Sequence, residues 1–391
     1  MSKIDELIQE LCPDGVAFAA LKEVAEFRTG WTFPVSEQGL SVGDYPFYKV
    51  ADMNNSVMLM GSAQNYISKE TAKKLRCKPA PKGTIIFPKI GSAMGTNKKR
   101  ILSVDSCYDN NAIGIIAKSV DSSYLYYIFS SLTLLDFANG TGAVPSLDKT
   151  RLENYKVPLP PLPIQQEIVR ILDSFTELTA ELTAKLTAEL TARRKQYEYY
   201  RDELLTFGED VPVFSLSEIA TNCDRQRKPV TKGKREAGIY PYYGASGIVD
   251  YVADYTFEGD YLLISEDGAN LLARSTPIAF SISGKNWVNN HAHVLKFETP
   301  ELQKYVEIYL NSLDLSKYIS GGAQPKLNQD NLNKIPIPLP SSGVKRIVDV
   351  LTHFDTICND LTSGLPAEIA TRQKQYEYYR DKLLTFKELE K

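Results

Sequence analysis

Side chains able to do bond chemistry are few and scattered in this chain. There are three histidines, His291, His293 and His353. His291-Ala-His293 lies in a predicted strand, VNNHAHVLKF, where alternate residues share a face and two imidazoles could hold one metal ion. No Cys or carboxylate stands at a spacing that completes a zinc set, so hydrogen-bonded histidines are the stronger reading. Glu266-Asp267 could supply part of a nuclease site, but no basic partner follows at a suitable spacing. GSAMGTNKK (91–99) has the glycines of a phosphate loop without its Gly-Lys-Ser/Thr ending. Neither a GxGxxG followed by an acidic residue nor an Asn/Asp-Pro-Pro-Tyr run is present. The five cysteines, Cys12, Cys77, Cys107, Cys223 and Cys358, form no CxxC pair and are odd in number, so reduced, packed thiols are expected. The sequence reads as non-catalytic.

Recognition chemistry is better supplied. Basic residues cluster at Lys98-Lys99-Arg100 and again at Arg225, Arg227, Lys228, Lys232, Lys234 and Arg235. Both clusters sit in loops rich in Gly and Asn, the second near Trp287, a mixture suited to phosphate contact and base-edge hydrogen bonding. Asn can read adenine, and Arg or Lys guanine. The candidate DNA-binding residues are Lys89, Asn97, Lys98, Lys99, Arg100, Asn110, Asn111, Arg225, Arg227, Lys228, Asn270, Arg274, Lys285, Asn289 and Asn290. For any one of them, a solvated loop or turn-capping role is at least as good an account; only as groups do they point to nucleic acid. The net charge of −3 adds nothing to that reading, which rests on the local clusters.

The elements that must position these loops are plain in the sequence. Residues 164–207 contain no Gly or Pro and carry apolar residues at three- and four-residue steps, the period of one helix face. An unbroken helix of that length would run roughly 60 Å and needs a partner helix. The chain supplies one. IPIPLP (335–340) answers VPLPPLP (157–163), and RQKQYEYYRDKLLTF (372–386) answers RRKQYEYYRDELLTF (193–207). The repeat implies a duplicated domain-plus-helix unit, with the two helices zipped as an antiparallel coiled coil. Its candidate contact residues are Leu172, Phe175, Leu178, Leu182, Leu186, Leu190, Tyr197, Tyr200 and Leu204 on the first helix, and Leu351, Phe354, Leu361, Ile369, Tyr376, Tyr379 and Leu383 on the second. Gly364 and Pro366 predict a break in the second copy, one helix ending and the next beginning there. Four tetrapeptides, ELTA-ELTA-KLTA-ELTA (177–192), fill the middle of the first helix.

Between these helices, strand-like runs alternate with turn residues: DYPFYKVADM (44–53), GTIIFPKIG (83–91) and NAIGIIAK (111–118), with a helix expected near 123–136. LSEIA echoes LKEVA, YPYYGASG echoes YPFYKVAD, and the closing stretches align Pro325 with Pro145 and Leu327 with Leu147. The interior loops KIGSAMGTNKKR and SEDGANLLARSTPIAF show no likeness, as two different targets would require. The expected divisions are a first globular domain at 1–155, a helical region at 156–210, a second domain at 211–334 and a second helical region at 335–391. The fold class is α+β: two mostly-β globular domains joined by two long helices forming an antiparallel coiled coil, with a pseudo-twofold internal repeat. With 43% hydrophobic residues, no run of 18 apolar residues and no apolar leader, a cytoplasmic protein is expected.

Taken together, PLPPLPIQQEIVRILDSF, the LTAE repeats, KQYEYYRDELLTF with its second copy and SGLPAEIA, and WVNNHAHVL resemble the specificity subunit of type I restriction–modification systems over essentially the whole length. The resemblance implies two target-recognition domains, each reading half of a split, asymmetric site in double-stranded DNA. It implies a coiled coil that sets the spacer between the halves. Two adenine-methyltransferase subunits would dock on it, carrying the S-adenosylmethionine, and motor-nuclease subunits would join that core. The chain itself would bind no cofactor and no metal. A non-catalytic coiled-coil adaptor, or an enzyme modifying DNA in its own right, are the alternatives. The first leaves the two loop-rich β domains unexplained; the second lacks a methyl-donor or nuclease motif.

Overall fold

The structure, a computed structural model, describes residues 2–139, 144–321, 324–360 and 363–390. It divides into two compact units, Met1–Ala184 with Ala370–Lys391, and Lys185–Ile369.

The first unit opens with the helix Lys3–Leu11, whose start is fixed by a capping box between Ser2 and Asp5. An antiparallel sheet comes next, in the spatial order Ala25–Thr29, Ala112–Ala117, Ile85–Pro88, Arg100–Ile101. A second sheet sets Tyr45–Tyr48 between Tyr66–Ile67 and Cys107–Tyr108, the latter pair parallel. The strand expected over 44–53 stops at Tyr48. The Asp52 carboxylate accepts the Lys49 N–H at 2.7 Å and turns Val50–Asn55 into a 3-10 helix.

The helix Ser122–Ser131 starts where Asp121 Oδ1 accepts the N–H groups of Ser123 and Tyr124. All six residues from Tyr124 to Phe129 are buried, because the helix is packed on two sides. Sheet residues such as Phe87, Ile113 and Ile115 and long-helix residues Ile164, Ile168 and Leu172 belong to the same core. The proline-rich lead-in is itself a strand: Lys156–Leu159 pairs antiparallel with Ala17–Ala20, an edge position that tolerates Pro158. It hands the chain directly to the long helix, Leu162–Leu204.

The second unit takes the same path. One sheet runs Thr221–Asn222, Ala292–Lys296, Tyr261–Ser265, Ala279–Ile282; the other runs Gly247–Val252, Ala237–Gly244, Lys285–Val288, Phe257–Glu258. The helix Pro300–Ser312 takes the place of Ser122–Ser131, and a clasp of Val213–Ser215 with Pro336–Pro338 that of the first unit's strand pair. One tie recurs at both clasps. Tyr124 Oη donates to the Pro158 carbonyl at 3.2 Å, and Tyr305 Oη to the Pro338 carbonyl at 2.6 Å.

Helix pairing is antiparallel within each unit. In the first, Leu172 is fully buried, Phe175 meets Tyr379 edge-on at 6.1 Å and the Thr176 and Tyr376 hydroxyls lie 3.1 Å apart, with Leu383 packed on the same core. In the second, Tyr200 stacks on Phe354 at 5.6 Å, while Tyr197 and Leu204 pack on the core that contains Leu351. The tetrapeptide leucines are not equivalent: Leu186 is buried, Leu182 and Leu190 are half-buried, and Leu178 is 61% exposed. Four residues overshoot a helical turn by about 40°, so a leucine row at that spacing winds off the contact face. Leu178 is thus a correction to the expected seam. Ile369 is half-buried, and Leu361 lies outside the described residues. The break separates Val344–Asn359 from Leu365–Leu383: the second helix begins where expected, with Pro366 in its first turn, but the first ends at Asn359, five residues before Gly364. A Cβ on Gly364 would sit 2.6 Å from the Thr356 carbonyl oxygen, so nothing larger fits where the two helices meet.

The cysteine expectation needs correcting. Cys77 and Cys107 are joined in a disulfide, leaving Cys12, Cys223 and Cys358 as buried thiols. The backbones of Ala80 and Ser106 exchange both hydrogen bonds, which brings the two cysteines' segments side by side although 30 residues separate them. No helix among the described residues is long and apolar enough to cross a membrane.

Candidate nucleic-acid interface

The two interior loops that differ in sequence share a conformation. In the first domain Gly91 (φ 75°) leads into the short helix Ser92–Gly95, and six residues after Gly91 comes Asn97 at φ 53°. In the second, Gly268 (φ 105°) precedes Asn270–Ala273, and Arg274 stands six residues on at φ 51°. Both left-handed residues do the same work. Asn97 Nδ2 donates to the Leu132 carbonyl at the end of Ser122–Ser131, and Arg274 Nη2 to the Leu313 carbonyl at the end of Pro300–Ser312, 2.6 Å away. They satisfy helix C-terminal carbonyls, which have no donor within the helix. Asn97 and Arg274 are therefore structural. So is Asn270, whose side chain bonds both the N–H and the carbonyl of Thr276.

The first basic cluster turns largely inward. Lys99 is 3% exposed; its Nζ donates to Asn97 Oδ1 and the Leu132 carbonyl and lies 5.4 Å from the centre of the Phe129 ring. Burial pushes its ammonium down to about 7, helped by the nearby charge of Arg380. Arg100 is half-buried and donates to the Lys99 carbonyl. Lys98 reaches Asn54 Oδ1, and Lys89 is half-buried.

The second cluster divides. Arg227 is fixed between Glu266 at 2.6 Å and Asp224 at 3.2 Å, and donates to the Ala292 carbonyl. Arg235 pairs with Asp250 at 3.0 Å and covers the Tyr242 ring at 4.3 Å, with Trp287 stacked beyond it. Arg225, Lys228, Lys232 and Lys234 stay at the surface, without ion pairs among the described residues. Lys285 is exposed and lies over the Tyr255 ring; the Tyr255 hydrogen bond holds its ammonium above the ordinary range.

The histidines part company. His291 precedes the strand, half in solvent, with Nδ1 2.8 Å from Asp267 Oδ2. His293 is 1% exposed, its ring nitrogens 2.6 Å from Asp224 Oδ2 and 2.7 Å from the Leu327 carbonyl. Asp224, Glu266 and His293 could together offer three ligand atoms to a cation. Arg227 and Lys326 already meet those carboxylates, so the protein's own cations fill that role. Burial opposes the charge on Asp224, but the His293 hydrogen bond and charge, the Val294 N–H and Arg227 hold it below its ordinary range. His293, Glu266 and Arg227 stood out singly in the sequence, but nothing there joined them, because the network's members are spread from 224 to 326.

At the surface, a turn is built alike in both domains. The N–H of Asp109 reaches the Tyr48 carbonyl, and that of Asn289 the Tyr243 carbonyl. Asp109 Oδ1 accepts the Asn111 N–H at 3.0 Å, and Asn289 Oδ1 the His291 N–H at 2.8 Å. The Asn111 carbonyl then accepts from Lys89, and the His291 carbonyl from Glu266, each at 2.9 Å. Returning hinge residues close both arrangements, Leu147 onto Lys89 and Leu327 onto Glu266. Asn289 is buried as the turn's acceptor, whereas Asn110, Asn111 and Asn290 are exposed. At corresponding positions the side chains differ: exposed Ile90 and Asn111 in one domain, half-buried Asp267 and exposed His291 in the other.

Comparison with known proteins agrees with this doubled frame. The profile of the type I restriction modification DNA specificity domain matches twice, over residues 13–192 and 208–371. A Haemophilus influenzae protein named as a putative type I restriction enzyme specificity subunit is 39% identical over 194 residues, 48% of this chain and 50% of that protein. The type I restriction enzyme EcoprrI specificity subunit of Escherichia coli is 29% identical over 389 residues, 93% of each chain. A structure from work on assembly and conformational transition of the type I restriction–modification system shares the fold, with TM-score 0.65 at 15% identity, covering 96% of this chain and 98% of its own. With two copies of that domain, the chain belongs to the type I restriction–modification DNA specificity family.

Proposed function

We propose that each globular domain binds one half of a bipartite, asymmetric site in double-stranded DNA. In this reading the paired helices scaffold two adenine-methyltransferase subunits, which motor-nuclease subunits join. The chain contributes no catalytic group and binds no cofactor; S-adenosylmethionine belongs to the methyltransferase partners. The observation that carries this reading is the shared turn. Two domains with one backbone frame place different side chains at corresponding positions, as two readers of different half-sites require. The surface cations Arg225, Lys228, Lys232 and Lys234 suit phosphate contact in the second domain.

The test is a genome-wide map of methylated adenine in cells with and without this chain, the partner methyltransferase being present in both. A split motif with a fixed gap, appearing only with the chain, is the expected outcome. An unchanged map from a complex shown to assemble would overturn the reading and leave an adaptor. With net charge −3, the isolated chain is expected to bind its site more weakly than the complex, whose partners add phosphate contacts.

A further inference from the structure

The second domain bears an apolar surface that its own packing does not use. Strands Ala237–Gly244 and Gly247–Val252 form a hairpin closed by Ala245-Ser246, and Gly247–Val252 is the outer strand of its sheet. Ile239 is 80% exposed, Ile248 48%, Val249 56% and Tyr251 52%. An exposed edge strand with this composition invites unwanted pairing unless it is blunted by charge or put to use. Its one charged residue, Asp250, is taken up by Arg235. A register shift between the Tyr242↔Asp250 and Tyr243↔Ile248 pairs leaves Val249 with no residue opposite, a bulge of the kind that re-aims side chains.

The surroundings say what this ribbon meets. Its tip is held to the body by the Ser265 hydroxyl, which donates to the Ala245 carbonyl. Gly244 faces Asn289 of the shared turn, so the tip stands beside Asn290 and His291. Along the ribbon, the Tyr242 hydroxyl accepts the Val230 N–H, which places the loop with Lys228, Lys232 and Lys234 on its flank. An apolar ribbon flanked by cations that make no ion pair among the described residues fits a polyanion with apolar groups recessed between its charges. Duplex DNA is such a partner: its major groove admits a two-stranded ribbon, and its apolar feature there is the thymine 5-methyl group.

Building on the DNA-binding reading above, we infer that this hairpin is the base-reading element of the second domain. It lies in the major groove with Ile248 and Val249 against thymine methyls, and the flanking lysines rest on phosphates. Adenine methylation within the half-site ensures at least one thymine, opposite the target base.

The test uses the chain assembled with its methyltransferase subunits and duplexes in which thymines of the second half-site are replaced singly by deoxyuridine, deleting only the methyl. Wild-type affinity should fall roughly fourfold at each contacted thymine, the factor expected for one buried methyl. An Ile248→Ser/Val249→Ser variant should bind more weakly, no longer distinguish the two bases, and methylate a relaxed second half-site with the first unchanged. A Lys232→Gln/Lys234→Gln variant should lose affinity on all sequences and show a shallower salt dependence. The inference falls if the hairpin variant keeps its second half-site and its deoxyuridine response. It also falls if that variant fails only to assemble, which would make the hairpin a protein-docking surface. A wild-type complex that yields no split motif would instead remove the functional reading beneath it.

Discussion

At Lys99 the fold has separated a cation from its solvent. Burial pushes its ammonium down to about 7, while two oxygen acceptors and the Phe129 ring face oppose that by favouring the charged form. The sign of the consequence is fixed. The value in the fold lies below the roughly 10.4 of an unfolded chain, so between about pH 7 and 10 the unfolded state binds more protons and this site makes stability rise with pH, by at most ~1.4 kcal/mol per unit. Lys99→Met should abolish that contribution, so the stability difference between wild type and variant should shift in favour of wild type as pH rises from 7 to 10. Denaturant midpoints at several pH values measure it, and parallel curves would refute it. The variant should leave the methylated site unaltered, because the ammonium faces the Leu132 carbonyl rather than a ligand. Nothing in KKR distinguishes Lys99 from Lys98. The difference arises because Lys98 reaches out to Asn54, whereas Lys99 turns under the end of Ser122–Ser131 against the Phe129 ring.

At the scale of elements, the tetrapeptide repeat in the long helix makes a defined prediction. The boundary between the two units falls inside it, after Ala184, and after Ile369 in the returning helix. Adding one LTAE unit lengthens that helix by about 6 Å and rotates the segment beyond the insertion by about 40°. Each domain keeps its own core, so the insertion should change the spacer of the methylated site and leave both half-sites intact; methylation mapping would show an unaltered spacer if the idea is wrong. These helices were legible from the sequence because their contacts are local and periodic, and the Gly364 break because glycine and proline act on their own neighbours. The loops were not. That 91–97 and 268–274 share one path depends on left-handed residues reaching helix ends 35 and 39 residues away, where Asn and Arg serve equally and leave no common signature. The clasp strands escaped for a related reason: prolines mask a strand whose pairing partner is distant in the chain, Ala17 with Leu159.

For the whole molecule, duplication predicts separable specificity. The segment 211–334 contains the second domain's two sheets and the helix Pro300–Ser312, but its ends divide a clasp: Val213–Ser215 lies inside it and Pro336–Pro338 outside. That clasp is joined by backbone hydrogen bonds, reinforced by the Leu216 N–H to the Ile335 carbonyl and the Tyr305 hydroxyl to the Pro338 carbonyl. Backbone pairing is tolerant of side-chain identity, so a replacement domain need only bring a strand and a tyrosine at these places. Exchange of 211–334 for another recognition domain should therefore yield a folded chain that changes one half-site and keeps the other, with the spacer unchanged because both helices are retained. The same methylation map reads all three properties at once. A change in both half-sites would show that the domains do not read independently, whereas loss of all methylation with the clasp tyrosine missing, restored on supplying it, would locate the failure in the joint rather than in recognition.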